Sequence, residues 1–126
     1  MTTPISLQTP VSVILPVLNE ERYLEATVHA IAAQDYEGEL EIILALGPSR
    51  DQTNSVAAKL AQRDSRITLI ENPSGKTADA LNKAIAASHG PIIVRVDGHS
   101  ILPAGYIREA VTTLARTGAV NVGGMM

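Results

Sequence analysis

The chain has 126 residues, of which 45% are hydrophobic, and its 10 Lys and Arg against 13 Asp and Glu leave a formal net charge of -3; this is one globular domain's worth of sequence and excludes a disordered polyelectrolyte. No basic excess points to nucleic acid, and the 3 aromatic residues, all Tyr, offer no stacking platform for single strands. The absence of Cys excludes a disulfide framework and a thiolate metal site and suits a reducing, cytoplasmic compartment; no apolar run approaches the ~20 residues that cross a bilayer.

Residues 1–10 lack both positive charge and an apolar stretch, so they read as a flexible N-terminal segment ahead of one domain, 11–126. Five short runs have the β-branched composition of buried strands: Val11–Leu15, Glu41–Leu46, Ile67–Ile70, Ile92–Val96 and Ala119–Val122. Between the first two, Leu24, Val28 and Ile31 recur at helical spacing, with Asn19 expected as N-cap and Glu20 and Glu21 in the first turn. Val56 and Leu60 mark a second helix after Asp51. Leu81, Ala84 and Ile85 mark a third, and Ile107, Val111 and Leu114 a fourth that begins near Pro103. With no Phe or Trp, the core must come from Val, Ile, Leu and Ala, which suits strands buried on both faces. The alternation predicts an α/β fold, three layers of α/β/α around a mostly parallel sheet with right-handed crossovers.

In such sheets ligands bind outside the carboxyl ends of the strands, so the turns after the strands carry the information. They read Pro16-Val17-Leu18-Asn19-Glu20, Gly47-Pro48-Ser49-Arg50-Asp51, Glu71 through Thr77, and Asp97-Gly98-His99-Ser100, and they hold nearly all the reactive polar residues. Asp97 and His99 flank a glycine that lets the backbone curl, so carboxylate and imidazole could form part of a divalent-cation shell. An Asp-Gly turn with a solvent-facing histidine has the same spacing, and both readings stand. Gly75-Lys76-Thr77 fails as a P-loop because the earlier glycine falls at Ile70; a glycine-lysine turn at a helix start remains, able to meet one phosphate. Gly47-Pro48-Ser49 approximates a nucleophile elbow, but Asp51 replaces its last glycine and Pro48 disfavours the strained turn, leaving a serine hydrolase as a remote reading. His29 and His89 read as surface or cap residues.

Together these turns resemble the donor-site motifs of family 2 glycosyltransferases of the GT-A fold, over Val11 to Met126. Val11 through Glu20 resembles the opening strand and P-V-x-N-E turn. Glu41 through Thr53 lies where the family has E-I-I-V-V-D-D-G-S-T-D-G-T and keeps Ser49, Asp51 and Thr53. Gly75 with Ala80-Leu81-Asn82 resembles the G-x-x-x-A-x-N helix start, and Asp97-Gly98-His99 stands at the D-x-D position. Leu46 and Gly47 replace two aspartates, so no base preference is carried over. His99 in place of the second acid resembles the subgroup of succinoglycan-biosynthesis glycosyltransferases.

The resemblance implies a nucleoside-diphosphate-sugar site formed by Pro16, Val17, Asn19, Glu20, Leu46, Gly47, Ser49, Gly75, Lys76, Asn82, Asp97 and Gly98, with Mn²⁺ or Mg²⁺ held by Asp97 and His99. It implies sugar transfer with inversion to a carbohydrate or lipid-linked acceptor, in polysaccharide or glycolipid synthesis, in the cytoplasm or at the cytoplasmic membrane face in a full-length form. The catalytic base belongs in that family to a later part of the domain, so this chain is expected to carry only the donor and metal half; a non-catalytic nucleotide-binding or interaction remnant is the alternative. A sheet cut short would also expose an edge or an apolar helix face, an expected source of self-association.

Overall fold

The structure, a computed structural model, describes residues 5–97 and 102–117. Its elements in chain order are β1 (Val11–Val17), α1 (Leu24–Ala32), β2 (Leu40–Leu46), α2 (Thr53–Arg63), β3 (Ile67–Glu71), α3 (Thr77–Ala87), β4 (Ile92–Arg95) and α4 (Tyr106–Thr117). The four strands are parallel in the order β3-β2-β1-β4. The expected strand Ala119–Val122 lies outside the described residues.

Period-2 alternation divides the side chains of β1 between two cores. Val11, Val13, Leu15 and Val17 face a large cluster with Leu24, Val28 and Ile31 of α1, Ala57 and Leu60 of α2, and Ile107, Val111 and Leu114 of α4. Ile14 faces the other way, toward Ile43 and Ala45 of β2 and the alanines Ala80 and Ala84 of α3. Three helices therefore cover one face and α3 covers the other, giving the expected three layers. The chain moves outward from β1 to β3 through α1 and α2, then returns past β1 to β4 through α3. Placing the returning helix on the opposite face is what right-handed crossovers require, and the reversal puts a crevice between β1 and β4.

Pro16 shows how that crevice opens. The carbonyl of Val17 accepts from Gly47 N on the β2 side, while that of Ile14 accepts from Val96 N on the β4 side. Alternation turns the missing N–H of Pro16 toward β4, whose pairing with β1 ends at Ile14 and Arg95. A proline is tolerated in a central strand because its neighbour on that side has already diverged.

Three local expectations are corrected. Asn19 is not an N-cap: α1 begins at Leu24, its cap position is Tyr23, and Asn19 adopts a left-handed φ of 54°. Glu20 and Glu21 consequently precede the helix, and the acid in its first turn is Glu25. Pro103 does not open α4, which starts at Tyr106; its carbonyl accepts from Gln34 Nε2 at 3.0 Å, and Gln34 Oε1 accepts from Ile107 N at 3.0 Å, pinning α4 to the end of α1. On α3 the fully buried residues are the alanines Ala80 and Ala84, while Leu81 packs against that core only partly buried and Ile85 is 46% exposed.

Candidate functional site

Two loops at the carboxyl end of the sheet are zipped together. Asn19 N donates to Ser49 Oγ at 2.9 Å, and Asn19 Oδ1 accepts from Arg50 N at 2.8 Å. Glu20 N donates to the buried Thr53 Oγ1 at 2.8 Å, Glu21 N to Asp51 Oδ2 at 3.3 Å, and Gln52 N to Glu21 Oε1 at 2.9 Å. Thr53 in turn donates its hydroxyl and its N–H to Asp51 Oδ1. Ser49 thus braces the loop in which the elbow reading placed a nucleophile, and Asn19 spends both side chain and left-handed backbone on the same brace.

The Thr53 hydroxyl, followed by backbone N–H donors, holds the Asp51 carboxyl below its ordinary value. A folded-state pKa lowered in this way contributes stability above the unfolded value of 3.8 and loses it as pH falls through the folded value. Acid unfolding followed by circular dichroism is therefore expected to steepen below about pH 4, and Asp51→Asn to flatten that limb. An unchanged limb in the variant would remove Asp51 from the brace.

Two glycines bring a third loop against these. Gly75 has φ 70°, and a Cβ on it would lie 3.2 Å from Pro48 Cδ. A Cβ on Gly47 would lie 2.9 Å from Leu18 Cδ1 and 3.3 Å from Gly75 Cα. The absence of an aspartate at 47 has this structural counterpart: any side chain there crowds the turn on which the β3–α3 loop rests. Leu46 is half-buried against the larger core.

Between these loops and β4 lies an open cavity of about 270 Å³. Of the residues expected at the site, Pro16, Val17, Glu20, Gly75 and Asp97 line it. Asn19, Leu46, Gly47 and Ser49 do not; they build the loops behind it. Lys76 is exposed at the cap of α3, its N–H donating to Ser74 Oγ at 3.1 Å, and Asn82 is exposed further along that helix. Gly98 and His99 lie outside the described residues.

The cavity also has walls that the motifs did not reveal: Leu18, Asn72, Thr77, Ala80 and Arg95. Buried Asn72 donates from Nδ2 to Lys76 O at 3.0 Å, and its N–H bonds Leu46 O at 2.8 Å, so it joins the end of β2 to the start of α3. Its signal, an Asn-Pro pair after a strand, reads only as a turn. Arg95 was visible as a lone cation in an apolar strand. Alternation with the buried Val94 and Val96 puts it on the α3 face, where Nη2 donates to Asp97 Oδ1 at 3.2 Å. The Arg95 side chain is 34% exposed and that of Asp97 18%. Arg95 Nε is buried and has no hydrogen-bond partner among the described residues.

No group of three or more His, Cys, Asp or Glu side chains suited to a metal occurs among the described residues. Asp97 and Glu20 both line the cavity, and carboxylates are the ligand type that a hard divalent cation, not a thiolate-seeking one, takes. No helix among the described residues is long and apolar enough to cross a membrane.

The sequence pattern of Glycosyl transferase family 2 matches residues 12–126. The chain belongs to this family. Among family relatives, succinoglycan biosynthesis protein ExoA of Rhizobium meliloti is 29% identical over 112 residues, 87% of this chain and 34% of that protein. Mannosyltransferase PcManGT from Pyrobaculum calidifontis, solved in complex with GDP-Man and Mn²⁺, superposes with a TM-score of 0.77 at 30% identity over 90% of this chain and 34% of its own. S. aureus TarS 1-349, at 22% identity and TM-score 0.74 over 85% of this chain and 32% of its own, shares the fold. The fold is accordingly the GT-A arrangement, and this family 2 chain spans about a third of the length of these relatives.

Proposed function

We propose that this chain binds a nucleoside-diphosphate sugar with a divalent cation, as the donor-binding part of an inverting glycosyltransferase of polysaccharide or glycolipid synthesis. The observation that carries the reading is the cavity at the β1/β4 reversal, where Glu20 and Asp97 meet the start of α3 at Thr77. The general rule for open parallel sheets puts a nucleotide at that position. Asp97, with His99, would hold the cation, which supplies charge compensation for the departing diphosphate. Glu20, whose own N–H donates to Thr53 Oγ1, would accept hydrogen bonds from a ribose or base. Gly75, which lines the cavity, comes just before the start of α3, where a phosphate would meet the positive end of that helix and the Lys76 ammonium. Transfer to the acceptor belongs to the whole protein.

Calorimetry with UDP-glucose and GDP-mannose tests this. At least one is expected to bind in the presence of Mn²⁺ and to weaken about tenfold or more when EDTA replaces the metal. Absence of binding by both donors with Mn²⁺ present would defeat the reading.

A further inference from the structure

We propose that Arg95 is a resident counter-cation for Asp97, holding its carboxylate when no divalent ion is bound and passing to the anionic diphosphate when ion and nucleotide arrive. The proposal rests on the donor-site reading above and deepens it by assigning a residue outside its motifs. Arg95 lies two residues before Asp97 on β4, paired with Ile14 of β1, and its side chain lines the same cavity. Its Nη2 donates to Asp97 Oδ1 at 3.2 Å. A divalent ion held by that carboxylate and a guanidinium donating to it would repel one another, so the two would compete for Asp97. A guanidinium carries five N–H donors, and in this arrangement Nε, closed off from solvent, meets no acceptor among the described residues. Among the described residues the resting position thus leaves Arg95 with donor capacity that the single contact to Asp97 does not use. Diphosphate oxygens entering the cavity supply acceptors in the geometry a guanidinium fork matches. Losing Asp97 to the metal and gaining the phosphates leaves Arg95 with its charge still compensated. Arg95 is in this account a positioning residue for the metal ligand and a contact for the donor.

The two roles predict effects of opposite sign. Titrated with Mn²⁺ alone, Arg95→Met is expected to bind about tenfold tighter than the parent, because the competing cation is gone. That gain should vanish in the Arg95→Met, Asp97→Asn double variant, and Arg95→Lys, which keeps a charge, should stay near the parent. With saturating Mn²⁺, binding of UDP or GDP should weaken about tenfold in Arg95→Met. Mn²⁺ affinity that is unchanged or weaker in a folded Arg95→Met chain, absence of Mn²⁺ binding in both forms, or a gain that survives loss of Asp97, overturns the proposal. If Arg95→Met does not fold, Arg95→Gln carries the same comparison. Failure of both nucleotides to bind the parent would instead strike the donor-site reading, while the Mn²⁺ titration still decides what Arg95 does at Asp97.

Discussion

Replacing Asp97 with Asn is expected to lower metal-supported nucleotide binding by about 100-fold or more, since even groups that only support a metal ligand are worth 10–100-fold in metal affinity. The substitution keeps the side-chain shape and removes the charge on which a hard cation depends. Stability should change little. The Arg95–Asp97 contact is partly solvated, and pairs of that kind contribute up to about 1 kcal/mol. A thermal melt alongside the titration separates the two effects. Parent-like nucleotide affinity in Asp97→Asn, at saturating Mn²⁺, would show that the cation is held elsewhere.

The largest structural loss is expected from Ile43→Ala. Ile43 is fully buried at the centre of the smaller core, among Ile14, Ala45, Ala80 and Ala84. Its buried partners on α3 are alanines, short side chains that leave little to collapse into the gap. Truncations of this kind cost roughly 2–5 kcal/mol, against about 5–15 kcal/mol for a whole domain. A fall in Tm of about 10 °C or more should follow. Because Ala80 also lines the cavity, nucleotide binding should weaken below the melt as α3 loosens. The comparison is Ile85→Ala on the exposed side of the same helix, expected to stay within about 0.5 kcal/mol of the parent. Equal losses from the two variants would mean that α3 does not pack through its alanine face.

The four described strands and the four helices were legible because burial leaves a period: Val11, Val13 and Leu15 in one direction, Leu24, Val28 and Ile31 in the other. The caps were not. Asn19 precedes an amphipathic helix and offers a capping side chain, but residues 20–23 intervene, the last three of them in a turn, and its hydrogen bonds go to the Ser49–Arg50 loop 30 and 31 positions away. A local propensity was outweighed by a long-range pairing that no window of neighbouring residues contains.

The candidate site divides in the same way. That reactive groups collect in the turns after β1, β2, β3 and β4 follows from the strand pattern and the parallel-sheet rule, and Glu20, Gly75 and Asp97 do line one cavity. Which turn residues face the cavity and which tie loops together depends on distances between segments. Ser49 and Asn19 are absorbed by the brace, whereas Asn72 and Arg95, which no motif marked, become walls.

The sequence by itself determined the α/β class and the strand-end turns, because apolar periodicity and short motifs are properties of contiguous residues. Tertiary structure alone decided that β1 and β4 part at Pro16, that α3 closes the opposite face with alanines, and that a guanidinium lies against Asp97. Each of these joins residues remote in sequence or fixes a side chain's direction, and hydrogen-bond and packing energies act over ångströms of space, not along the chain.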